Sequence, residues 1–112
     1  MDLIVAANGD TERVRELLES GVDPDIQSRN GITALMNASY RGYTEIVRLL
    51  LEAGANPNIK NKWGSTAFTN AEDYGHTDIL ELLNLHEAKK RLAVAKSLHY
   101  RLGDRSVVGE LD

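Results

Sequence analysis

Gly31-Ile32-Thr33-Ala34-Leu35-Met36-Asn37-Ala38 is answered, 33 residues later, by Gly64-Ser65-Thr66-Ala67-Phe68-Thr69-Asn70-Ala71, with glycine, threonine, alanine, asparagine and alanine in register. The same offset relates Gly21 to Gly54, Pro24 to Pro57, Ile26 to Ile59 and Gly42 to Gly75. It continues through Thr44 and Thr77, Ile46 and Ile79, Leu49 and Leu82, and Leu50 and Leu83, while Gly9 carries it back toward the N-terminus. A fixed period between about 20 and 50 residues marks a stacked repeat protein, because one such unit cannot bury its apolar face alone and packs it on a neighbour. The fold class follows from the period, and function is to be sought on the surface of the stack.

Within each unit, apolar residues fall three and four apart in two bursts separated by glycine, which predicts two short helices. Thr33 and Thr66 stand where an N-cap is needed for a first helix over about 34–41 and 67–74, which Gly42 and Gly75 end in a left-handed conformation. Thr11, Thr44 and Thr77 are expected to cap a second helix, rich in leucine, isoleucine and valine, that Gly21 and Gly54 terminate. The segments Val22-Asp23-Pro24-Asp25 and Ala55-Asn56-Pro57-Asn58 are too rich in turn formers for helix and predict projecting hairpin loops.

The stretches Gly31 to Ala38, Gly42-Tyr43-Thr44-Glu45-Ile46-Val47-Arg48-Leu49-Leu50-Leu51 and Gly54-Ala55-Asn56-Pro57-Asn58 together resemble one full unit of the ankyrin repeat family. The resemblance covers roughly residues 3–86. It implies an all-α fold, a short ankyrin-repeat solenoid of helix-turn-helix units with projecting hairpin loops, in repeats of about 1–29, 30–62 and 63–86. Thr33-Ala34-Leu35-Met36 and Thr66-Ala67-Phe68-Thr69 lack the proline and histidine of the family pattern, which implies a less rigid stack. Where a further glycine is due stands Glu87, and Leu85, Ala88, Leu92, Ala95, Leu98 and Leu102 follow at helical spacing. This predicts a C-terminal capping helix over 87–102, either continuing the last repeat helix or kinked near His86, covering the open end of the stack, and a flexible tail over 103–112.

Composition narrows the function. The chain has 112 residues, one domain by length, with a net charge of −4 and no cysteine. The acidic balance argues against a nucleic-acid binder, and the absence of thiols removes disulfides, a thiolate nucleophile and cysteine-based zinc sites. Met1-Asp2-Leu3-Ile4-Val5 is neither basic enough nor apolar for long enough to act as a secretory or membrane segment, so a cytoplasmic protein with no membrane association is expected. Of the three histidines, His76 follows a repeat glycine and is read as structural, and His86-Glu87 begins a zinc-protease motif that Lys90 breaks. His99 lies 13 residues from His86 and forms no metal pair with it. No phosphate loop or nucleophile elbow is present. We therefore expect no catalytic residues, no metal site and no cofactor.

The resemblance implies that hairpin tips and first-helix faces form a concave groove for a partner protein. Transferred by position, the groove residues are Arg29, Ile32, Tyr40, Arg41, Lys60, Lys62, Trp63, Asp73 and Tyr74. Arginine, tryptophan and tyrosine are the side chains most enriched at interaction hot spots. Four cations against one carboxylate, in an acidic chain, favour a partner with an acidic face. The expected function is a non-catalytic protein-protein interaction module, an adaptor or inhibitor, acting as a monomer. The rival reading is a structural spacer that self-assembles through its C-terminal helix.

Overall fold

The computed structural model describes residues 2–110, and the side chains of residues 2–94. Six helices follow in chain order: α1 (Leu3–Ala6), α2 (Thr11–Glu19), α3 (Ala34–Arg41), α4 (Thr44–Glu52), α5 (Ala67–Asp73) and α6 (Thr77–Glu110), with no strand among the described residues. They pair as α1 with α2, α3 with α4 and α5 with α6, and the pairs stack into one layer of first helices and one of second helices.

Local chemistry sets the helix ends. Thr33 and Thr66 are N-caps, their hydroxyls accepting from Met36 N and Thr69 N at 3.2 Å each. The Thr69 hydroxyl accepts in turn from Thr66 N at 2.8 Å, closing a capping box. The second helices differ from expectation by one residue: Thr11, Thr44 and Thr77 are the first helical residues rather than caps. In α2 the cap is Asp10, whose carboxylate accepts from Arg13 N at 3.0 Å, and in α4 it is Tyr43, which makes no side-chain cap bond. A carboxylate caps better than the threonine after it, and the ring at position 43 has another task.

That task is to cover a glycine of the preceding unit. Gly42, at φ 84°, ends α3 in the left-handed region, and a Cβ there would meet the His76 ring at 2.7 Å. The Tyr43 ring lies over Gly9 in the same way, 3.4 Å from a Cβ built there. Gly75 has no neighbour within 4 Å of its Cβ position among the described residues.

The two layers are packed by different residues. Ala34, Ala38, Ala67 and Ala71 are all but fully buried, so α3 and α5 come close, whereas Ile46, Val47, Leu50, Ile79 and Leu83 fill the space behind them. With small side chains in front and large ones behind, α3 and α5 are in closer contact than α4 and α6. Cross-unit hydrogen bonds reinforce the contact: Asn37 Nδ2 donates to Ile4 O at 3.1 Å and Asn70 Nδ2 to Met36 O at 3.2 Å, the same residue one period apart. Ser39, wholly buried in α3, is the only buried polar side chain among the described residues with no partner for its oxygen.

The C-terminal region departs in part from expectation. The helix expected over 87–102 is continuous with the last repeat helix rather than kinked near His86, and it runs on through residues 103–110 in place of the expected tail, so that α6 is one helix of 34 residues, about 51 Å long. Residues 88–94 are exposed and do not fold over the end of the stack. Nothing between Thr77 and Leu102 breaks a helix, and once the first turns of α6 are docked each further residue adds a hydrogen bond without a new nucleus. Gly103 and Gly109 each cost only about 1 kcal/mol. Side chains beyond Val94, including those of the second half of the expected cap, and residues 111–112 lie outside the described residues. The open end is instead made tolerable by the third unit itself: Glu72 and Asn84 are exposed where, one period earlier, Ser39 and Leu51 are buried.

Candidate partner-binding surface

The hairpin loops between α2 and α3 and between α4 and α5 rise from the stack and touch at their tips. Each closes on itself, Gly31 N donating to Ser28 O at 2.8 Å and Gly64 N to Asn61 O at 2.9 Å. Lys62 N then donates to Asn30 O at 2.9 Å, joining one tip to the next. The approach is close enough that a Cβ on Gly31 would lie 3.1 Å from the Cα of Asn61. Lower down, Asn56 N donates to the Asp25 carboxylate at 2.8 Å. Together these hold Arg29, Lys62 and Trp63 on one ridge.

On that ridge Trp63 is 63% exposed and the Lys62 ammonium lies 5.2 Å from the centroid of its indole. A cation at that distance is attracted to the ring face and holds the ring in an outward pose. Lys60 is exposed on the rising arm, and no hydrogen bond or ion pair ties it to the others among the described residues. Ile32 is half-buried at the hairpin base, where its main chain bonds Ser28, so it supports the ridge more than it lines it.

A second group forms at the C-terminal ends of the first helices. Tyr40 and Tyr74 meet edge to face with centroids 4.5 Å apart, and the Arg41 guanidinium sits 5.8 Å from the Tyr40 ring. His76 stacks near Tyr74, centroids 6.5 Å apart, and its Nε2–H donates to Tyr40 O at 3.0 Å. That bond satisfies a carbonyl left free at the end of α3 and fixes the ring's tautomer. The Tyr74 phenol is raised above the usual tyrosine value, first by hydrogen bonding with the Tyr40 hydroxyl, then by charge on Tyr40, with a smaller push from Asp73. Both rings stay substantially exposed, Tyr40 at 42% and Tyr74 at 56%.

The nine sequence-derived residues therefore divide. Arg29, Lys62 and Trp63 share the tip ridge, while Tyr40, Arg41, Asp73 and Tyr74 share the helix ends. α5, seven residues or about 10 Å long, separates the two groups. Between them run Asn37 and Asn70, half-buried on the first-helix face and missed by the sequence reading, although their recurrence one period apart was visible. Phe68 was also missed. It occupies the register of buried Leu35 and is 37% exposed, with no further unit packed on it among the described residues.

Among the described residues no group of three or more histidines or carboxylates is placed to hold a metal, and no helix is long and apolar enough to cross a membrane. The family model for ankyrin repeats, in three copies, matches residues 3–93. No curated protein sequence matches the chain.

Proposed function

The chain belongs to the ankyrin repeat family, whose members are in general protein-protein interaction modules and typically non-catalytic, and from that membership we propose that it binds a partner protein along the first-helix side of the stack. The observation that carries the reading is the pair of exposed aromatic groups, Trp63 with Lys62 and Tyr40–Tyr74 with Arg41, at opposite ends of one short helix. Rings held in place by a neighbouring cation give up little freedom on binding and bury much area, the combination found at interaction hot spots.

The partner presents an acidic face. Arg29, Arg41, Lys60 and Lys62 stand against Asp73 on this side of a protein whose net charge is −4, and such a patch steers an acidic partner and sets its orientation. The protein works as a cytoplasmic adaptor or inhibitor, a monomer with no cofactor, membrane or nucleic acid in its activity. The test is affinity capture from native extract with the wild type and with Trp63→Ala/Tyr74→Ala. The wild type is expected to retain a protein that the variant loses and that elutes with rising salt. Equal retention by both would refute this surface.

A further inference from the structure

The second-helix layer carries an apolar track that the groove does not use. Leu82 and Leu85 of α6 and Leu51 of α4 floor a trough between these helices, edged by Arg48, Glu52, His86 and Lys89. Leu85 is 52% exposed, and Leu92, one heptad or about 10 Å farther along α6, is 56% exposed. Ala88 between them is exposed too. Positions 82, 85, 88 and 92 recur three and four apart and so share one helix face. α4 ends at Glu52, one period before Leu85, so the stripe runs past the helix that covers its first half.

Charge decides what fits there. Lys89 and Arg91, both exposed, project on either side of the stripe next to Leu92. Arg48 at the trough is already paired with Glu45. Of the carboxylates facing the same helix, Asp78 and Glu81 lie toward its N-terminus and Glu52 edges the trough beside Leu85, so the stretch around Leu92 is bordered by the cations at 89 and 91. Two copies of α6 laid stripe to stripe would set the cations at 89 and 91 against one another, and like charges at a helix seam disfavour the pairing. We propose that this face of α6 receives an amphipathic helix of another protein, with leucine-type anchors toward Leu85 and Leu92 and carboxylates over Lys89 and Arg91. The site lies on the layer opposite the first helices, so a chain with both surfaces filled joins two partners.

The test uses the full chain and two labelled synthetic helices of about 14 residues, long enough for two heptads, with identical leucine anchors and either glutamate or lysine flanks, read by fluorescence anisotropy. The glutamate peptide is expected to bind and the lysine peptide not. Leu85→Asp/Leu92→Asp should weaken binding by about ten-fold or more, as for removal of central anchors, with an unchanged urea midpoint because both side chains are exposed. Lys89→Glu/Arg91→Glu should transfer the preference to the lysine peptide, and Trp63→Ala/Tyr74→Ala should change nothing. Equal binding of the two peptides, or binding of neither, would overturn the proposal. So would light scattering that shows a dimer dissolved by Leu85→Asp/Leu92→Asp.

Discussion

Gly42→Ala and Gly75→Ala place the same methyl group on the same backbone in two surroundings. Both glycines are left-handed, at φ 84° and 70°. An L-residue there costs about 1–2 kcal/mol, of which about 0.4–1 kcal/mol returns because alanine restricts the unfolded chain. Gly75→Ala, with open space around it, should therefore lose about 1 kcal/mol. At Gly42 the added Cβ would fall 2.7 Å from the His76 ring, which must swing away and release its bond to Tyr40 O. A hydrogen bond of this kind contributes about 0.5–1.5 kcal/mol, so Gly42→Ala should lose about 2 kcal/mol. Urea unfolding followed by far-ultraviolet circular dichroism measures both. His76→Ala is the arbiter: in that background the ring is gone, and Gly42→Ala should fall to the Gly75→Ala value. Equal losses for the two single variants, or no coupling in the double-mutant cycle, would show that the ring does not hold the units together.

Ser39→Ala should raise stability by about 1 kcal/mol, because it deletes a buried hydroxyl without a partner; a lower urea midpoint would mean that the hydroxyl is satisfied in solution. Asn70→Ala should cost about 1 kcal/mol by removing the bond to Met36 O that joins the second and third units, measured in the same way, and Asn37→Ala a similar amount through Ile4 O. Tyrosine phenolate absorbance should reveal a phenol that ionises above the usual tyrosine value, and Tyr40→Phe should lower it. The sign is that of a raised acid: the folded state favours protonated Tyr74, so this contribution is complete below the ordinary tyrosine range and vanishes as pH climbs through the raised value. A titration curve that Tyr40→Phe leaves unchanged would refute the coupling.

The repeat was legible because the residues that build it are those with the fewest substitutes: glycine where the chain turns left-handed, threonine where a helix needs a cap, leucine and isoleucine where the second helices are buried. Thr33, Thr66 and Gly42 do what their spacing predicts. The Tyr40–Tyr74 pair was not legible as a contact. In register Tyr40 stands opposite Asp73 and Tyr74 opposite Arg41, and only the lean of side chains along their helices brings the two rings together. The end of the array was legible only in part. The period announced a boundary at Glu87, but a period records where units recur and not where a helix stops, and no residue there is a helix breaker. Polar residues at buried registers, Glu72 and Asn84, were the available signal that the third unit faces water.

The bonds between units share a direction. Asn37 gives to Ile4, Asn70 to Met36, His76 to Tyr40, Lys62 to Asn30 and Asn56 to Asp25, each time a later residue donating to an earlier one. The longer Asn58 to Glu87 contact, at 3.4 Å, runs the other way. During synthesis, a chain leaving the ribosome from its amino end would have the acceptors of each of these pairs outside before the donor arrives, so each new unit meets acceptors already in place. The same polarity makes the carboxyl side the growing point. A duplicated unit inserted there would find Gly75 bare and the carbonyl of Thr69, one period after Met36, in the place of an acceptor, and could lengthen the array without altering a residue upstream.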